Sequence, residues 1–303
     1  MKILILGSSG QVGSELDVQL NSVLSNVISG LETKNLKSSD INYTDSKLLG
    51  TILRDFAPDW IINAAAYTNV DQAELDKEAA FEINHSFVCE LVKYCSQNNI
   101  LLFHISTDYV FDGEGNTPLK EDDTKNPLGI YGQSKLAGEE HIINNLTGYL
   151  ILRTSWVFGL NGNNFVKTIL KISQHKDVLE VVSDQYGAPT SARSIARTIA
   201  TMILHMREAS LDDSRWGVYN FSGYPYVSWA GFAEKIVTQA SKKLLTHPNP
   251  SIKYIYTNDY PSVAKRPKNS MLECSKIKHI FNIDPDNWNH SLGIMLDEIN
   301  EDT

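Results

Sequence analysis

The sequence predicts an α/β protein in which a doubly wound parallel sheet is followed by a smaller, discontinuous C-terminal domain. In the first half of the chain, short apolar runs alternate with amphipathic segments, which is typical of parallel strands joined by crossing helices. After about residue 158 this alternation gives way to segments rich in glycine, asparagine and turn residues. The chain has 303 residues, which is enough for two domains.

The predicted elements of the first half follow one another closely. Strands are predicted at Lys2–Leu6, Val27–Leu31, Trp60–Ala66 and Ile100–Ser106. Helices are predicted at Gln11–Leu20, Asp45–Phe56 and Asp76–Gln97, where apolar residues recur at helical spacing. The segment Gly113–Pro127 is rich in charge, glycine and proline and is predicted to be a surface loop.

Two clear helices, Ala192–Arg207 and Trp229–Lys243, stand among the irregular segments of the second half. We expect residues 1–158, with returning segments at about 190–222, to form the sheet domain. Residues of about 159–189 and 223–303 are expected to form a substrate domain over its cleft, because open α/β sheets bind ligands at the carboxyl ends of their strands.

Composition and charge exclude several classes of function. The 27 Lys and Arg against 36 Asp and Glu give a net charge of −9, which argues against nucleic acid or an anionic membrane as partner. The apolar runs fall far short of the ~20 residues that span a bilayer, and the N-terminal pattern is not that of a signal peptide. Cys89, Cys95 and Cys274 are odd in number and are interpreted as reduced thiols of a cytoplasmic protein.

A glycine motif, Gly7-Ser-Ser-Gly10-Gln-Val-Gly13, directly follows the first strand and begins a helix. A tight turn without side chains lets backbone N–H groups meet a pyrophosphate, and a helix N-terminus favours its negative charge. The alternative is an ordinary glycine turn. The strand before the motif and the helix after it favour a dinucleotide site and a Rossmann-type sheet, although the spacing is GxxGxxG rather than GxGxxG.

The nicotinamide cofactor is predicted to be NADPH or NADH, and the sequence leaves that choice open. Glu32 follows Gly13 by 32 − 13 = 19 residues, near the spacing of the acid that binds the ribose hydroxyls of NAD. Lys34 and Lys37 follow closely and are candidates for a 2′-phosphate instead. A solvated charged loop explains all three residues equally well.

Tyr131 and Lys135 form a Tyr-x-x-x-Lys pair whose members share one face of a helix. A cation beside a phenol favours the phenolate and moves its pKa from about 10 toward the working range of an acid or base. The same pattern occurs at Tyr43 and Lys47, so spacing alone does not decide. Tyr131 is favoured because it follows Thr107, whose hydroxyl ends a strand and can bind the same substrate oxygen, whereas Tyr43 has no such partner.

With these motifs the chain resembles the extended short-chain dehydrogenase/reductases, and within them the dTDP-4-dehydrorhamnose reductase family. The resemblance runs almost from end to end. It is carried by Asn63-Ala-Ala-Ala-Tyr-Thr68, Val70-Asp-Gln-Ala-Glu74, Ser106-Thr-Asp-Tyr-Val-Phe111, Leu136-Ala-Gly-Glu139, Arg153-Thr-Ser-Trp-Val-Phe158, Gly162-Asn-Asn-Phe165, Asp184-Gln-Tyr-Gly-Ala-Pro-Thr190 and Arg266-Pro-Lys-Asn-Ser270.

The resemblance implies roles for particular residues. The catalytic residues would be Tyr131 as proton donor, Lys135 and Thr107. Besides Glu32, the cofactor-binding residues would be Gly7, Gly10, Gln11, Val12, Gly13, Asp40, Ile41, Ala66, Tyr67, Thr68, Tyr131 and Lys135. The nucleotide-sugar would contact Thr107, Asp108, Trp156 and Arg266; without the resemblance, Trp156 would be interpreted as a core residue and Arg266 as a solvated one.

The implied reaction is reduction by NAD(P)H of the C4 ketone of dTDP-4-dehydro-6-deoxy-L-mannose to dTDP-L-rhamnose. The product would be used in the biosynthesis of cell-surface polysaccharide. Related alternatives are a reductase with a talose-type product and a non-catalytic NADP-binding regulatory subunit. Epimerase or dehydratase chemistry is disfavoured because Thr107 is followed by Asp108-Tyr109 rather than by Asp-Glu. The resemblance also makes a homodimer an expected form of the protein.

No metal site is predicted. Arg193 stands where some members of the family carry a glutamate that helps hold magnesium at a dimer interface, which argues against a shared metal although Glu15 is present. His85, His104 and His141 are scattered along the chain without metal-binding spacing, and the sequence shows no Cys/His cluster.

Overall fold

The computed structural model describes residues 1–43, 45–244 and 248–301, without the side chain of Ser46. Its strands are β1 (Lys2–Leu6), β2 (Glu32–Leu36), β3 (Trp60–Asn63), β4 (Leu101–Thr107), β5 (Tyr149–Thr154), β6 (Val157–Phe158), β7 (Val178–Val182), β8 (Tyr186–Gly187), β9 (Thr190–Ser191), β10 (Gly217–Asn220), β11 (Val227–Ser228) and β12 (Ser251–Ile255). Its α-helices are α1 (Gln11–Leu24), α2 (Ser46–Phe56), α3 (Val70–Leu75), α4 (Lys77–Phe81), α5 (Phe87–Asn98), α6 (Ile130–Asn145), α7 (Phe165–Ser173), α8 (Ala192–Met206), α9 (Trp229–Lys243), α10 (Ser275–Phe281) and α11 (Trp288–Glu301). No helix among the described residues is long and apolar enough to cross a bilayer.

The main sheet has six strands in the order β10-β5-β4-β3-β1-β2, and every pair of neighbours is parallel. Successive residues of a strand face opposite sides, so the central strands are apolar on both faces. Ile3 and Ile5 pack with α1 and α8 on one face, whereas Leu4 and Leu6 pack with α2 and α5 on the other. This architecture confirms the predicted Rossmann-type α/β fold.

The predicted strand Val27–Leu31 is wrong, because the strand at this edge of the sheet is β2, Glu32–Leu36. Gly30 turns the chain with φ +72°, and the apolar Ile28 and Leu31 pack against the core beside α1 instead of joining the sheet. An edge strand is half exposed, so β2 carries a polar sequence that apolar patterning does not detect.

The helix predicted to run unbroken from Asp76 to Gln97 contains a π-helical turn. Asp76 caps α4 by accepting a hydrogen bond from the backbone N–H of Ala79. The π-turn occupies Glu82–Ser86, and α5 continues from it. A π-turn inserts one residue into a helix and shifts the faces on either side of it, and such turns are frequent at functional sites.

A second apolar core lies outside the sheet and is built from α7, β7, α9 and α11. Helix α8 and strand β10 belong instead to the sheet core, as the predicted returning segments require. Helix α10 also packs there, through Ile277 and Phe281. We propose the predicted division into two domains with one change, the assignment of α10 to the sheet domain.

Candidate active site

The buried polar atoms that lack a hydrogen-bond partner mark one edge of the sheet. Among the described residues they are Ser8 Oγ, Ser106 Oγ, Asp108 Oδ2, Thr154 Oγ1 and Asn220 Oδ1. All five lie at or directly beyond the carboxyl ends of β1, β4, β5 and β10. A buried polar group without a partner costs about 1–3 kcal/mol, so this edge is suited to a polar ligand that supplies the missing bonds.

The glycine motif forms a close-packed cradle at this edge. Gly7 has φ +79°, and a Cβ on it would lie 2.6 Å from the backbone nitrogen of Ala65. A Cβ on Gly13 would lie 2.1 Å from the carbonyl oxygen of Gly7. Gly10 is the N-cap of α1 and provides no capping side chain, which leaves the helix N-terminus suited to a phosphate.

The side chains that follow Gly10 do not all face this cradle. Val12 is buried in the sheet core, so contact with a cofactor would involve its backbone. The Oε1 of Gln11 accepts a hydrogen bond of 3.1 Å from Asn164, which precedes α7. Gln11 therefore contacts the segment that leads into the second domain.

Glu32 is not brought to the glycine motif, contrary to its predicted role at the cofactor ribose. It begins β2 opposite Lys2, with which it forms an ion pair of 3.7 Å. The strand meets the motif at its other end, where the carbonyl of Leu36 accepts hydrogen bonds of 3.0 Å from the N–H groups of Gly7 and Ser8. Leu36 lies four residues after Glu32 in the strand, a distance of about 13 Å at 3.3 Å per residue.

The charged residues beyond the carboxyl end of β2 are Lys37 and Asp40, both exposed. Asp40 accepts a hydrogen bond of 2.8 Å from the backbone N–H of Lys37, and this bond lowers the pKa of its carboxyl group. Lys34 lies instead over the ring of Phe56, and Ile41 is buried in the core. Lys37 and Asp40 are therefore the charged residues positioned next to the motif.

Asn84 connects the segment after β3 to helix α6. Its Oδ1 accepts from the backbone N–H of Tyr67 at 2.9 Å, and its Nδ2 donates to the carbonyl of Tyr67 and to Ser134 Oγ. Gly138 allows this close approach, since a Cβ there would lie 2.3 Å from the carbonyl oxygen of Asn84. Sequence reasoning missed Asn84, for which the available signal was a polar residue on the apolar face of a predicted helix.

Tyr131 lies in the first turn of α6 and is only 9% exposed. Burial raises the pKa of its phenol to about 12, while hydrogen bonding with Thr107 opposes the shift. Its ring meets that of Tyr109 edge-on, with 5.4 Å between the centroids. The net shift of this pKa is therefore upward, opposite to the direction that the sequence predicts.

Lys135 follows one turn later in α6, but its ammonium group points toward β4. The Nζ donates to the carbonyl of Ile105 at 2.7 Å and lies 3.1 Å from Nε2 of His104. His104 in turn lies 3.1 Å from the amide of Asn63, which completes a buried chain of polar groups. Burial lowers the pKa of Lys135 to about 8.

Thr107 and Asp108 stand where β4 ends and a short 3₁₀ turn begins. The Oγ1 of Thr107 accepts from the backbone N–H of Tyr109 at 3.2 Å and donates to Oδ1 of Asp108 at 3.1 Å. Asp108 is 3% exposed, and burial raises the pKa of its carboxyl group to about 6. The structure thus brings Thr107, Asp108 and Tyr131 together as predicted.

A buried ion pair anchors α6 to the sheet. Arg153 of β5 donates from Nε and Nη2 to both carboxylate oxygens of Glu139, over 2.6 to 3.1 Å. Its Nη1 donates to the carbonyl of Glu121, and the guanidinium lies over the ring of Phe111. The helix that carries Tyr131 and Lys135 is therefore held in register with the strand ends.

A cavity of about 800 Å³ opens in the second domain, with walls from α7, β7 and the segment after β12, and reaches the sheet domain at Tyr109. It is lined by Tyr109 of the sheet domain and by Gln185, Trp229 and Arg266. Trp156 does not line it; its ring stacks behind that of Trp229 with a centroid distance of 3.5 Å. Sequence reasoning missed Trp229, which presents the aromatic face that Trp156 was predicted to supply.

Arg266 is held at the rim of this cavity by Asp71. Its Nη2 donates to Oδ2 of Asp71 at 2.9 Å, and Oδ1 accepts from the backbone N–H of Ala264. Asp71 belongs to α3 of the sheet domain. The pair therefore joins the two domains across the cleft.

The tyrosine of the second Tyr-x-x-x-Lys match packs against the core beside α2 and α5. Tyr43 packs edge-on against Phe87 with a centroid distance of 4.8 Å, and Thr44 of that motif lies outside the described residues.

The structure surrounds Arg193 with carboxylates and brings two of the three histidines together with a cysteine. Arg193 lies between two carboxylates and forms an ion pair with each, at 3.2 Å from Glu15 and 2.8 Å from Glu298. The prediction that no Cys/His cluster exists is wrong. His85, Cys89 and His141 each offer one ligand atom within 4.8 Å of the others, because the fold lays α5 against α6.

Comparison with known proteins gives one consistent result. Residues 1–301 match the family model described as "RmlD substrate binding domain". The chain is 40% identical over 294 residues to a dTDP-4-dehydrorhamnose reductase of Aggregatibacter actinomycetemcomitans, covering 96% of this chain and 97% of that one. A crystal structure of such a reductase from Clostridium acetobutylicum superposes with a TM-score of 0.88, 31% identity and 99% coverage of both chains. A structure of such a reductase from Bacillus anthracis in complex with NADP superposes with a TM-score of 0.84 and 29% identity. The match covers 98% of this chain and 99% of that one.

Proposed function

The chain belongs to the RmlD substrate binding domain family, and from this premise we propose that it reduces the C4 ketone of dTDP-4-dehydro-6-deoxy-L-mannose to dTDP-L-rhamnose with NAD(P)H. The observation that carries the proposal is the meeting of Tyr131, Thr107 and Asp108 at the sheet edge that also holds the glycine motif. A reductase needs a hydride donor and a proton donor at one carbonyl, and this edge can provide a place for both.

The residues at the glycine motif fit a dinucleotide. The cradle of Gly7 and Gly13 has no room for side chains, and the hydroxyl of Ser8 is buried without a partner. We assign the pyrophosphate to this cradle, as suits a helix N-terminus, and the ribose-nicotinamide half to the Tyr67 segment. When bound, the nicotinamide supplies the hydride.

Tyr131 then provides the proton. Its phenol is protonated at neutral pH, because burial raises its pKa to about 12. As the carbonyl carbon gains a hydride, its oxygen becomes an alkoxide, which takes the phenolic proton from Tyr131. To orient the same oxygen, the Thr107 hydroxyl turns its single O–H from Asp108 to the substrate. The phenolate afterwards recovers a proton from solvent.

Lys135 is assigned to stabilising the phenolate as it forms. With a pKa near 8 its ammonium group is charged at pH 7, and a positive charge favours phenolate in the transition state. The lysine also has donors available for a ribose hydroxyl, since the ammonium group carries three N–H bonds and the carbonyl of Ile105 takes one of them.

The nucleotide half of the substrate is assigned to the 800 Å³ cavity. Trp229, backed by Trp156, offers a flat apolar face to a ring, and Arg266 offers paired donors to a diphosphate. Both residues belong to the second domain, and Arg266 is bonded to Asp71 of the sheet domain, so the sugar would be enclosed between the two domains, where water is excluded.

The decisive experiment incubates the protein with dTDP-4-dehydro-6-deoxy-L-mannose and either NADPH or NADH and identifies the sugar by NMR. We expect one cofactor to be oxidised for each dTDP-L-rhamnose formed. A talose-type product would mean that hydride reaches the opposite face of the ketone. Tight NADPH binding without turnover would favour the regulatory alternative and contradict the proposal.

A further inference from the structure

Three potential metal ligands converge on the outer surface of the α5–α6 pair. His85 lies in the π-turn, Cys89 lies one helical turn later in α5, and His141 comes from α6. All three residues are half-buried. Cys89 Sγ lies 3.5 Å from Nε2 of His85, and the rings of His85 and His141 meet edge-on at 6.2 Å between centroids.

We propose that His85, Cys89 and His141 form a zinc-binding site, with water as the fourth ligand. Zn–S and Zn–N bonds of about 2.3 and 2.05 Å at tetrahedral angles require S···N separations of about 3.5 Å and N···N separations of about 3.3 Å. The Cys89–His85 separation already has this value. The third ligand atom lies within 4.8 Å of the others, so rotation of the His141 ring can close the set.

The donor atoms select for the class of metal. A thiolate with two imidazoles suits zinc and its soft or borderline relatives, whereas magnesium and calcium require oxygen ligands. On binding, the Cys89 thiol gives its proton to solvent as the Zn–S bond forms, and no oxidation or reduction takes place. Three protein ligands leave one coordination position open to water.

The bound ion would cross-link the π-turn to α6. His85 directly follows Asn84, whose side chain holds both Tyr67 and Ser134. His141 lies six residues after Lys135 on the helix that carries the proposed proton donor. The site would thus fix the segment that positions Tyr67 relative to α6.

The test uses the full chain, freed of metal by chelation and titrated with ZnCl₂ by calorimetry. Titrations with Co²⁺ and Cd²⁺ then report the ligands, through the visible bands of tetrahedral cobalt and the ultraviolet band of a cadmium thiolate. We expect one equivalent of metal per chain and a thiolate band. Cys89→Ser and His141→Gln should each weaken Zn²⁺ binding by at least about 10- to 100-fold, the loss that even an outer partner of a metal ligand causes.

His175→Gln is the matched control, because His175 is an exposed histidine outside the cluster. The His175→Gln variant should bind Zn²⁺ with the affinity of the wild type. Zn²⁺ should raise the melting temperature of the wild type and of His175→Gln, but not that of Cys89→Ser. The proposal is overturned if the wild type binds no Zn²⁺, or if Cys89→Ser and His141→Gln bind it as tightly as the control. Circular dichroism of the metal-free variants separates loss of ligand from loss of fold.

Discussion

Tyr131 shows how little of a residue's chemistry follows from spacing alone. The sequence predicts that Tyr131 and Lys135 share a helix face and that Thr107 lies near the tyrosine, and the structure bears out both. It does not predict that Lys135 would extend past the phenol to the carbonyl of Ile105. The same Nζ lies 3.1 Å from Nε2 of His104, a buried residue whose partner no linear pattern indicates.

Replacement of Tyr131 by Phe should abolish turnover while fold and cofactor binding persist. The change removes one hydroxyl and almost no volume, and general acid groups contribute about 10²- to 10⁴-fold to a rate. Steady-state kinetics and NADPH titration measure the two effects. Tyr43→Phe is the control and should leave kcat unaltered, since its contact with Phe87 involves only the ring. A Tyr131→Phe enzyme within about threefold of wild type would contradict the assignment.

Replacement of Lys135 by Met should stabilise the fold while it damages activity. A pKa of about 8 in place of 10.5 means that burying this ammonium group costs about 3 kcal/mol below pH 8. Between pH 8 and 10.5 the unfolded chain binds the extra proton, so the stability of the wild type rises with pH in that window. The melting temperature of Lys135→Met should therefore exceed that of wild type at pH 7, and the difference should shrink toward pH 10.5. A constant difference over this range would show that Lys135 is not buried as an ammonium group.

At the scale of elements, the sequence predicts those whose burial is regular and misses those at an edge or an irregularity. Strand β2 is polar because it borders solvent, so apolar patterning predicts the strand at Val27–Leu31 instead and places Glu32 at its carboxyl end, whereas Glu32 begins the strand. The π-turn has no apolar periodicity of its own. It nevertheless presents Asn84 to the site and His85 to the metal cluster, which explains why neither function was visible in the linear pattern.

Helix α6 depends on the buried Glu139–Arg153 pair for its position. Glu139→Gln would leave the Arg153 guanidinium buried beside a neutral partner, and breaking a buried ion pair typically costs about 3–5 kcal/mol. We expect a lower urea midpoint with an unchanged m-value. We also expect a reduced kcat, because Tyr131 and Lys135 belong to this helix. Glu180→Gln is the control, as it removes the exposed pair with Lys253 and should leave the urea midpoint nearly unchanged.

At the scale of the whole molecule, the cleft between the domains is where the substrate is proposed to bind. The two cores are separate, and β6 pairs with β9 beside the point where the chain leaves the sheet domain. The sequence indicated this organisation through its change of texture after residue 158. It could not indicate which side chains meet across the cleft, since Asp71 and Arg266 are 195 residues apart.

The Asp71–Arg266 pair offers a test of how the cleft recognises a diphosphate. Arg266→Ala should raise the KM for the sugar nucleotide by about 10- to 100-fold, which corresponds to the 1.5–3 kcal/mol of a hydrogen bond to a charged group. NADPH affinity should stay unchanged. Asp71→Asn keeps an oxygen for the N–H of Ala264 but removes the charge that competes for the guanidinium, so its KM should equal or fall below that of wild type. If Arg266→Ala and Asp71→Asn raise KM equally, the arginine serves to hold the domains together. An arginine that binds phosphate would bind it more tightly once its carboxylate partner is removed, whereas an arginine that only joins the domains would not.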